Sequence, residues 1–147
     1  MLNKMNLKGR IIIFKKDKNT GDLVEVFRTE NMIVQTGFDW FVDTLDGLAP
    51  TVWSHIAIGT NNTVPNIGQT ALLAELAREA FSDTDREPTL WRAEAEFAQG
   101  VATGTWGEVG VFNAAAAGTM LNRAVINVTK AIDEAVTVRF ELSLSNT

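Results

Sequence analysis

The sequence predicts a mainly-β protein, an antiparallel β-sandwich with two short helical insertions, and three observations carry that expectation. Val136, Val138, Phe140, Leu142 and Leu144 alternate with Thr137, Arg139, Glu141, Ser143 and Ser145. Trp91, Ala93, Ala95 and Phe97 alternate in the same way with Arg92, Glu94 and Glu96. Strict period two puts one face in a core and the other in water, as antiparallel sheets allow. Only two segments, 36–48 and 70–81, show apolar residues at helical spacing, so the helices are insertions among about seven strands.

From the N-terminus, residues 9–16 and 22–29 are β-prone runs joined by Asp17-Lys-Asn-Thr-Gly21, which reads as a hairpin. Residues 36–48 place Phe38, Phe41, Val42 and Leu45 on one helical face, with Asp39, Asp43 and Asp46 between them and Gly47 as the stop. Residues 53–58 form a buried strand, and 60–68 a polar loop containing Pro65. Thr70 is then a candidate N-cap for a second helix with Leu72, Leu73 and Leu76 inward and Glu75 three residues before Arg78 outside. Asp83-Thr-Asp-Arg-Glu-Pro88 follows as a charged loop, and 105–112 and 119–128 flank the connector Asn113-Ala-Ala-Ala-Ala-Gly118 as a hairpin. No internal repeat or low-complexity linker interrupts the chain, so residues 1–147 read as one domain with a basic N-terminal segment, about 1–8.

A chain of 147 residues with 46% hydrophobic content buries a sizeable core, about 70% of the surface its unfolded form exposes. The absence of cysteine excludes disulfides, thiolate metal sites and thiol nucleophiles, and suits a reducing cytoplasm. The apolar run behind the basic start is only Ile11-Ile12-Ile13-Phe14. A signal peptide needs about 7–15 apolar residues and a membrane span about 20, so a soluble, non-exported protein without membrane contact is expected. The net charge of −5 is unevenly spread: residues 1–18 hold six cations and one anion, and the remainder carries −10. An acidic body repels phosphate backbones, so nucleic acid is not an expected partner. Lys4, Lys8 and Arg10 leave two readings open, an arm that docks on a neighbouring copy or another protein, and a strand whose outer lysines blunt a sheet edge.

Catalytic chemistry finds little support. His55 is the sole histidine and sits in an apolar strand, the setting of a packed, hydrogen-bonded residue. Glu94 and Glu96 share a strand face, as an acid/base pair of a hydrolase would, yet Arg92, Arg139 and Glu141 explain them as cross-strand charge pairs. Asp83, Asp85 and Glu87 lack the glycine and closing glutamate of a calcium loop, so no metal or other cofactor is expected. Asn61-Asn-Thr63 and Asn127-Val-Thr129 match the glycosylation sequon by chance if the chain is not exported. Trp40, Trp53 and Trp91 fall in apolar patterns. Trp106, in the glycine-rich run 100–107, is the expected exposed tryptophan, an interface anchor or sugar platform.

Four segments in order carry a resemblance: Ser54-His-Ile-Ala-Ile-Gly-Thr-Asn-Asn62, Gln69 to Glu79, Gly107-Glu-Val-Gly-Val-Phe-Asn113 and Gly118-Thr-Met-Leu-Asn-Arg123. Together they are similar to small structural proteins of tailed bacteriophages, over roughly residues 9–144. In that family Gly59, Glu108, Gly110 and Arg123 belong to the defining turns, and Glu108 and Arg123 fall on neighbouring strands, within reach of pairing. Asn61-Asn62 and Val109-Gly110-Val111 are mild departures from the family's usual residues. The resemblance implies a non-enzymatic virion component made in the host cytoplasm, a homo-oligomer mounted on capsid, neck or tail among other virion proteins. The alternative is a receptor- or carbohydrate-binding module, with Trp106 and the Asn61–Gly68 loop, Asn61 and Asn62 included, forming the site.

Overall fold

The computed structural model describes residues 4–146 and is mainly β, with nine strands and one helix in chain order. These are β1 (Met5–Lys16), β2 (Leu23–Ile33), α1 (Gln35–Leu45), β3 (His55–Gly59), β4 (Glu75–Ala80), β5 (Asp83–Glu87), β6 (Leu90–Phe97), β7 (Gly104–Phe112), β8 (Asn122–Lys130) and β9 (Val136–Asn146). Residues 1–3 of the basic segment lie outside the described residues. Every pairing is antiparallel, and the strands form one sheet in the order β4-β3-β7-β8-β2-β1-β9-β6-β5.

That order forces curvature. The edge strands β4 and β5 are consecutive in sequence and separated only by Phe81 and Ser82. Eight inter-strand steps of about 4.8 Å would set them about 38 Å apart in a flat sheet, whereas three Cα steps span only about 10 Å. The sheet therefore curls into a half-barrel until its two edges meet at this link. Backbone hydrogen bonds hold the link to both sides, from Phe81 N–H to Ser54 O and from Ser82 N–H to Glu94 O, each 2.8 Å. Where the sequence reading expected two sheets face to face, the ladder runs as one curled sheet.

The concave side is the core. Ile11 and Ile13, Ile56 and Ile58, Val109 and Val111, and Val138 and Phe140 point into one cluster, closed by Phe97 and Trp106. Register explains the alternation, because Phe140 lies between Ile11 and Ala93 on its two flanks, and Val138 between Ile13 and Ala95. Helix α1 lays Phe38, Trp40 and Phe41 against this core, with Trp40 4.9 Å from Trp53. Val42 and Leu45, expected on the same face, instead stand in water, because the inward face turns toward Trp40. The first hairpin is longer than expected. Its turn is closed by the Asp17 carboxylate, which accepts N–H bonds from Asn19 and Thr20 at 2.8 and 2.9 Å, and by Gly21 at φ 75°. Those two amides, Thr20 first, hold the Asp17 carboxyl below its ordinary pKa.

Two expectations are corrected. The second helical insertion does not form: residues 60–74 are irregular and β4 pairs with β3. Leu72 alone of its three leucines is buried, while Leu73 and Leu76 face water, so no helical apolar face is used. The charged loop 83–88 is instead strand β5, joined to β6 by a two-residue turn at Pro88-Thr89. Its exposed Asp83, Asp85, Arg86 and Glu87 blunt that edge against further pairing.

One buried group is out of keeping with the core. Lys130 is 1% exposed, and its ammonium has no hydrogen-bond partner among the described residues. Desolvation holds its pKa below the ordinary 10.5, with Glu134 opposing weakly. Lys130→Met should therefore stabilise the fold by about 1–3 kcal/mol at neutral pH, read as a rise in the urea midpoint. A lysine with a depressed folded-state pKa binds fewer protons folded than unfolded, so wild-type stability gains with pH between that pKa and 10.5. The advantage of the variant should shrink as pH rises through that window.

Candidate functional site

The residues of the resemblance converge on the convex side of β7 and β8. Glu108 and Arg123 are both fully buried, and Arg123 Nε donates to Glu108 Oε1 at 2.9 Å. The carboxylate also accepts N–H bonds from Leu73 at 2.9 Å, Ala74 at 2.7 Å and Asn61 at 3.3 Å. The guanidinium donates in turn to Thr63 O at 2.6 Å and Asn61 O at 3.3 Å. Two desolvated charges are stable in such a place only when their remaining valences are satisfied, and here residues 60–74 supply the partners from both ends. Space matters as well: a Cβ on Gly59 would meet Ala74 O at 2.5 Å, and one on Gly110 would meet Asn122 O at 2.8 Å. Beneath the segment, Leu72 joins Val34, Ala57, Phe112 and Met120 in a small second apolar cluster.

A second clamp escaped the sequence reading. Arg78 lies over the Phe112 ring at 3.8 Å, pairs with Glu75 at 2.6 Å, and donates to Ala114 O and Ala117 O at 2.9 Å each. It thereby holds the connector between β7 and β8, where Ala117 and Gly118 take positive φ of 51° and 74°. The Glu75–Arg78 spacing was visible as a helical pair. On a strand, side chains three apart point to opposite faces, but the register shift between Ile58 and Gly59 makes Leu76 an extra residue and restores a common face.

The interface candidates fall in three places. Lys4 is exposed just before β1. Lys8 pairs with Glu30 at 2.7 Å and Arg10 with Glu141 at 3.4 Å. Lys15 pairs with Glu134 at 3.1 Å and Lys18 with Asp133. From Met5 onward the basic segment is thus a strand inside the sheet, and Lys8, Arg10 and Lys15 on it meet anions of their own chain. Asn61 is half-buried, its backbone held by the Glu108–Arg123 pair and its side-chain oxygen accepting from Thr63 N–H at 2.8 Å, whereas Asn62 is exposed. Trp106 corrects the expectation outright. It is wholly buried, edge-on to Phe97 at 5.1 Å, with its indole N–H donated to Ala102 O at 2.8 Å. Trp106 belongs to β7 and faces the core, and Val101 and Ala102 of the glycine-rich run pack against the same cluster.

The convex face of β2, β1, β9, β6 and β5 is a lattice of paired charges. Arg92 bonds Glu141 at 2.8 Å and Arg139 bonds Glu94 at 2.7 Å, both directly opposite in register, and Arg139 lies 4.7 Å over Phe14. These arginines, with Arg10 and Arg28, surround an open depression of about 470 Å³. Glu94 is therefore committed to Arg139, and His55 to the Ser54 hydroxyl at 2.7 Å. Asp85 and Glu87 each lie 3.4 Å from Arg92, and no group of three or more metal-ligating side chains gathers among the described residues. No helix among them is long and apolar enough to cross a membrane.

Removing one member of the buried pair leaves the other charged and unpartnered, so Arg123→Met should cost about 3–5 kcal/mol. Lys8→Gln, which breaks an exposed pair, should stay within about 1 kcal/mol. Urea unfolding of both variants measures the contrast, and limited proteolysis should cut residues 60–74 first in the Arg123 variant. Searches against protein families, curated proteins and solved structures find no match to this chain.

Proposed function

We propose that the chain is a non-enzymatic structural component of a tailed-phage virion, made in the host cytoplasm and assembled by protein–protein contacts at the capsid surface, neck or tail, with copies of itself among its partners. The observation that carries this reading is the role of the resembling residues. Gly59, Glu108, Gly110 and Arg123 act together to pin an irregular segment to a sheet, and none of them presents a reactive group to solvent. A motif that builds shape belongs to a part whose work is shape. Glu94 supports the same reading, since its Oε1 accepts from Arg139 directly opposite in register.

In the same reading the half-barrel is an opened β-sandwich. Strands β4, β3, β7 and β8 make one layer and β2, β1, β9, β6 and β5 the other, joined among the described residues by only two residue pairs, Met32–Arg123 and Ile33–Asn122. Contacts with other virion proteins run through the charged convex face, including Lys8 and Arg10, and through the outer loop residues such as Asn62. Contacts of the first kind weaken as salt rises, since screening cuts surface attraction within about 10 Å at 0.1 M salt. The carbohydrate-binding alternative loses its platform with Trp106 buried.

Purified particles from the lysing culture that encodes the chain provide the test. The chain should band with DNA-filled or empty particles in a density gradient and appear in their peptide mass spectra. Recovery of the chain only from the soluble fraction, with none in the particle bands, would overturn the proposal.

A further inference from the structure

We propose that the free edge of β2, residues 23–30, pairs antiparallel with the same edge of a second copy across a two-fold axis. Strand β2 is bonded to β1 along its length, but among the described residues its other edge meets a strand only at Met32 and Ile33. Over residues 23–30 the outward-pointing backbone donors and acceptors, on about every second residue, are therefore not taken by a strand. Native edges are ordinarily blunted by unbalanced charge, as β5 is, whereas an open edge whose acid and base are matched among apolar residues is a template for strand addition. Strand β2 exposes Leu23, Val24 and Val26 at 46, 50 and 44%.

The charge pattern selects a second copy as the occupant. A bulge sets Ile13 opposite Phe27 but Phe14 opposite Glu25, so Val26 is the extra residue and the pleat shifts by one. Glu25 and Arg28 consequently share the convex face, 2.6 Å apart. One antiparallel register pairs all eight residues: Arg28 opposite Glu25 of the second copy, Thr29 opposite Val24, Glu30 opposite Leu23, with the two bulges meeting at the axis. Opposed side chains then lie on common faces throughout. Each guanidinium sits between two carboxylates and each carboxylate between two guanidiniums, an arrangement the sequence Glu25-Val-Phe-Arg28 makes with itself and with no strand of arbitrary charge. Leu23, Val24 and Val26 leave water at the same time. The inference deepens the self-assembly part of the proposed function and does not require the particle.

The test is sedimentation velocity of the full chain at low salt. Wild type should run as two chains, and Arg28→Glu and Glu25→Arg should each run as one, since each sets like charges opposite. An equimolar mixture of the two variants should recover the two-chain species, because the two acids on the edge of one variant then face the two bases on the edge of the other. Thermal unfolding by circular dichroism checks that both variants keep the fold, as expected for exposed side chains. A wild type that runs as one chain at every concentration, an Arg28→Glu variant that still pairs, or a mixture that fails to recover would each overturn the pairing. A chain that enters particles yet sediments singly overturns this inference alone, and a pair that never enters particles overturns the particle reading alone.

Discussion

The buried Glu108–Arg123 pair is the interaction from which much of the architecture follows. Both charges are cut off from water, so their cost must be offset by hydrogen bonds, and the Glu108 carboxylate takes three from backbone amides within residues 60–74. The Ala74 amide, which a helix capped at Thr70 would bond to the Thr70 carbonyl, is given instead to the Glu108 carboxylate on another strand. The segment therefore stays irregular until Glu75 and then enters the sheet as β4 beside β3. Once β4 occupies that edge, the two-residue link to β5 obliges the opposite edge to come round to meet it. The half-barrel, with its closed interior, is thus tied to a polar contact on its outside.

Bulges do comparable work on a smaller scale. Glu25–Arg28 and Glu75–Arg78 both straddle an extra residue, Val26 in β2 and Leu76 in β4, and in both the acid and base come to 2.6 Å. The outcomes differ because the surroundings differ. Arg78 is folded over Phe112 and directs its other donors to two carbonyls of the β7–β8 connector. Arg28 remains half-exposed on an open edge. The same local motif is a clamp in one strand and an unfilled contact in the other.

Charge distribution along the chain turns out to be a statement about pairing within the fold. Lys8, Arg10, Lys15 and Lys18 all belong to the first hairpin and its turn, and each meets an acid far along the sequence or on the neighbouring strand. Basic β1 lies between β2 and β9, so Lys8, Arg10 and Lys15 are set beside acids that the same chain supplies. Lys130 is the contrast, a lysine carried inward by strand parity without an acid at its tip.

What the sequence determined by itself was the alternation. The period-two runs at Trp91–Phe97 and Val136–Leu142 name their core-facing residues correctly, because a strand's facing depends only on neighbours along the chain. The burial of Thr137 and Glu141 on the other face and the exposure of Leu144 depend instead on what covers the sheet. The first hairpin, the position of α1 and the adjacency of Glu108 and Arg123 were legible from turn residues and local spacing. The face α1 buries was not, since Val42 and Leu45 stay in water and Trp40 packs inward in their place. Leu72, Leu73 and Leu76 were ambiguous, since three leucines at that spacing suit a helix until a carboxylate 34 residues away captures the backbone. Trp106 was misplaced because glycine-rich surroundings signal a loop, whereas the residue belongs to β7 and faces the core. The charged run at Asp83–Glu87 reads as a loop by composition and becomes a strand only because β6 offers an edge. Tertiary structure decided each of these, by long-range hydrogen bonds worth more than the weak local preferences they overrode.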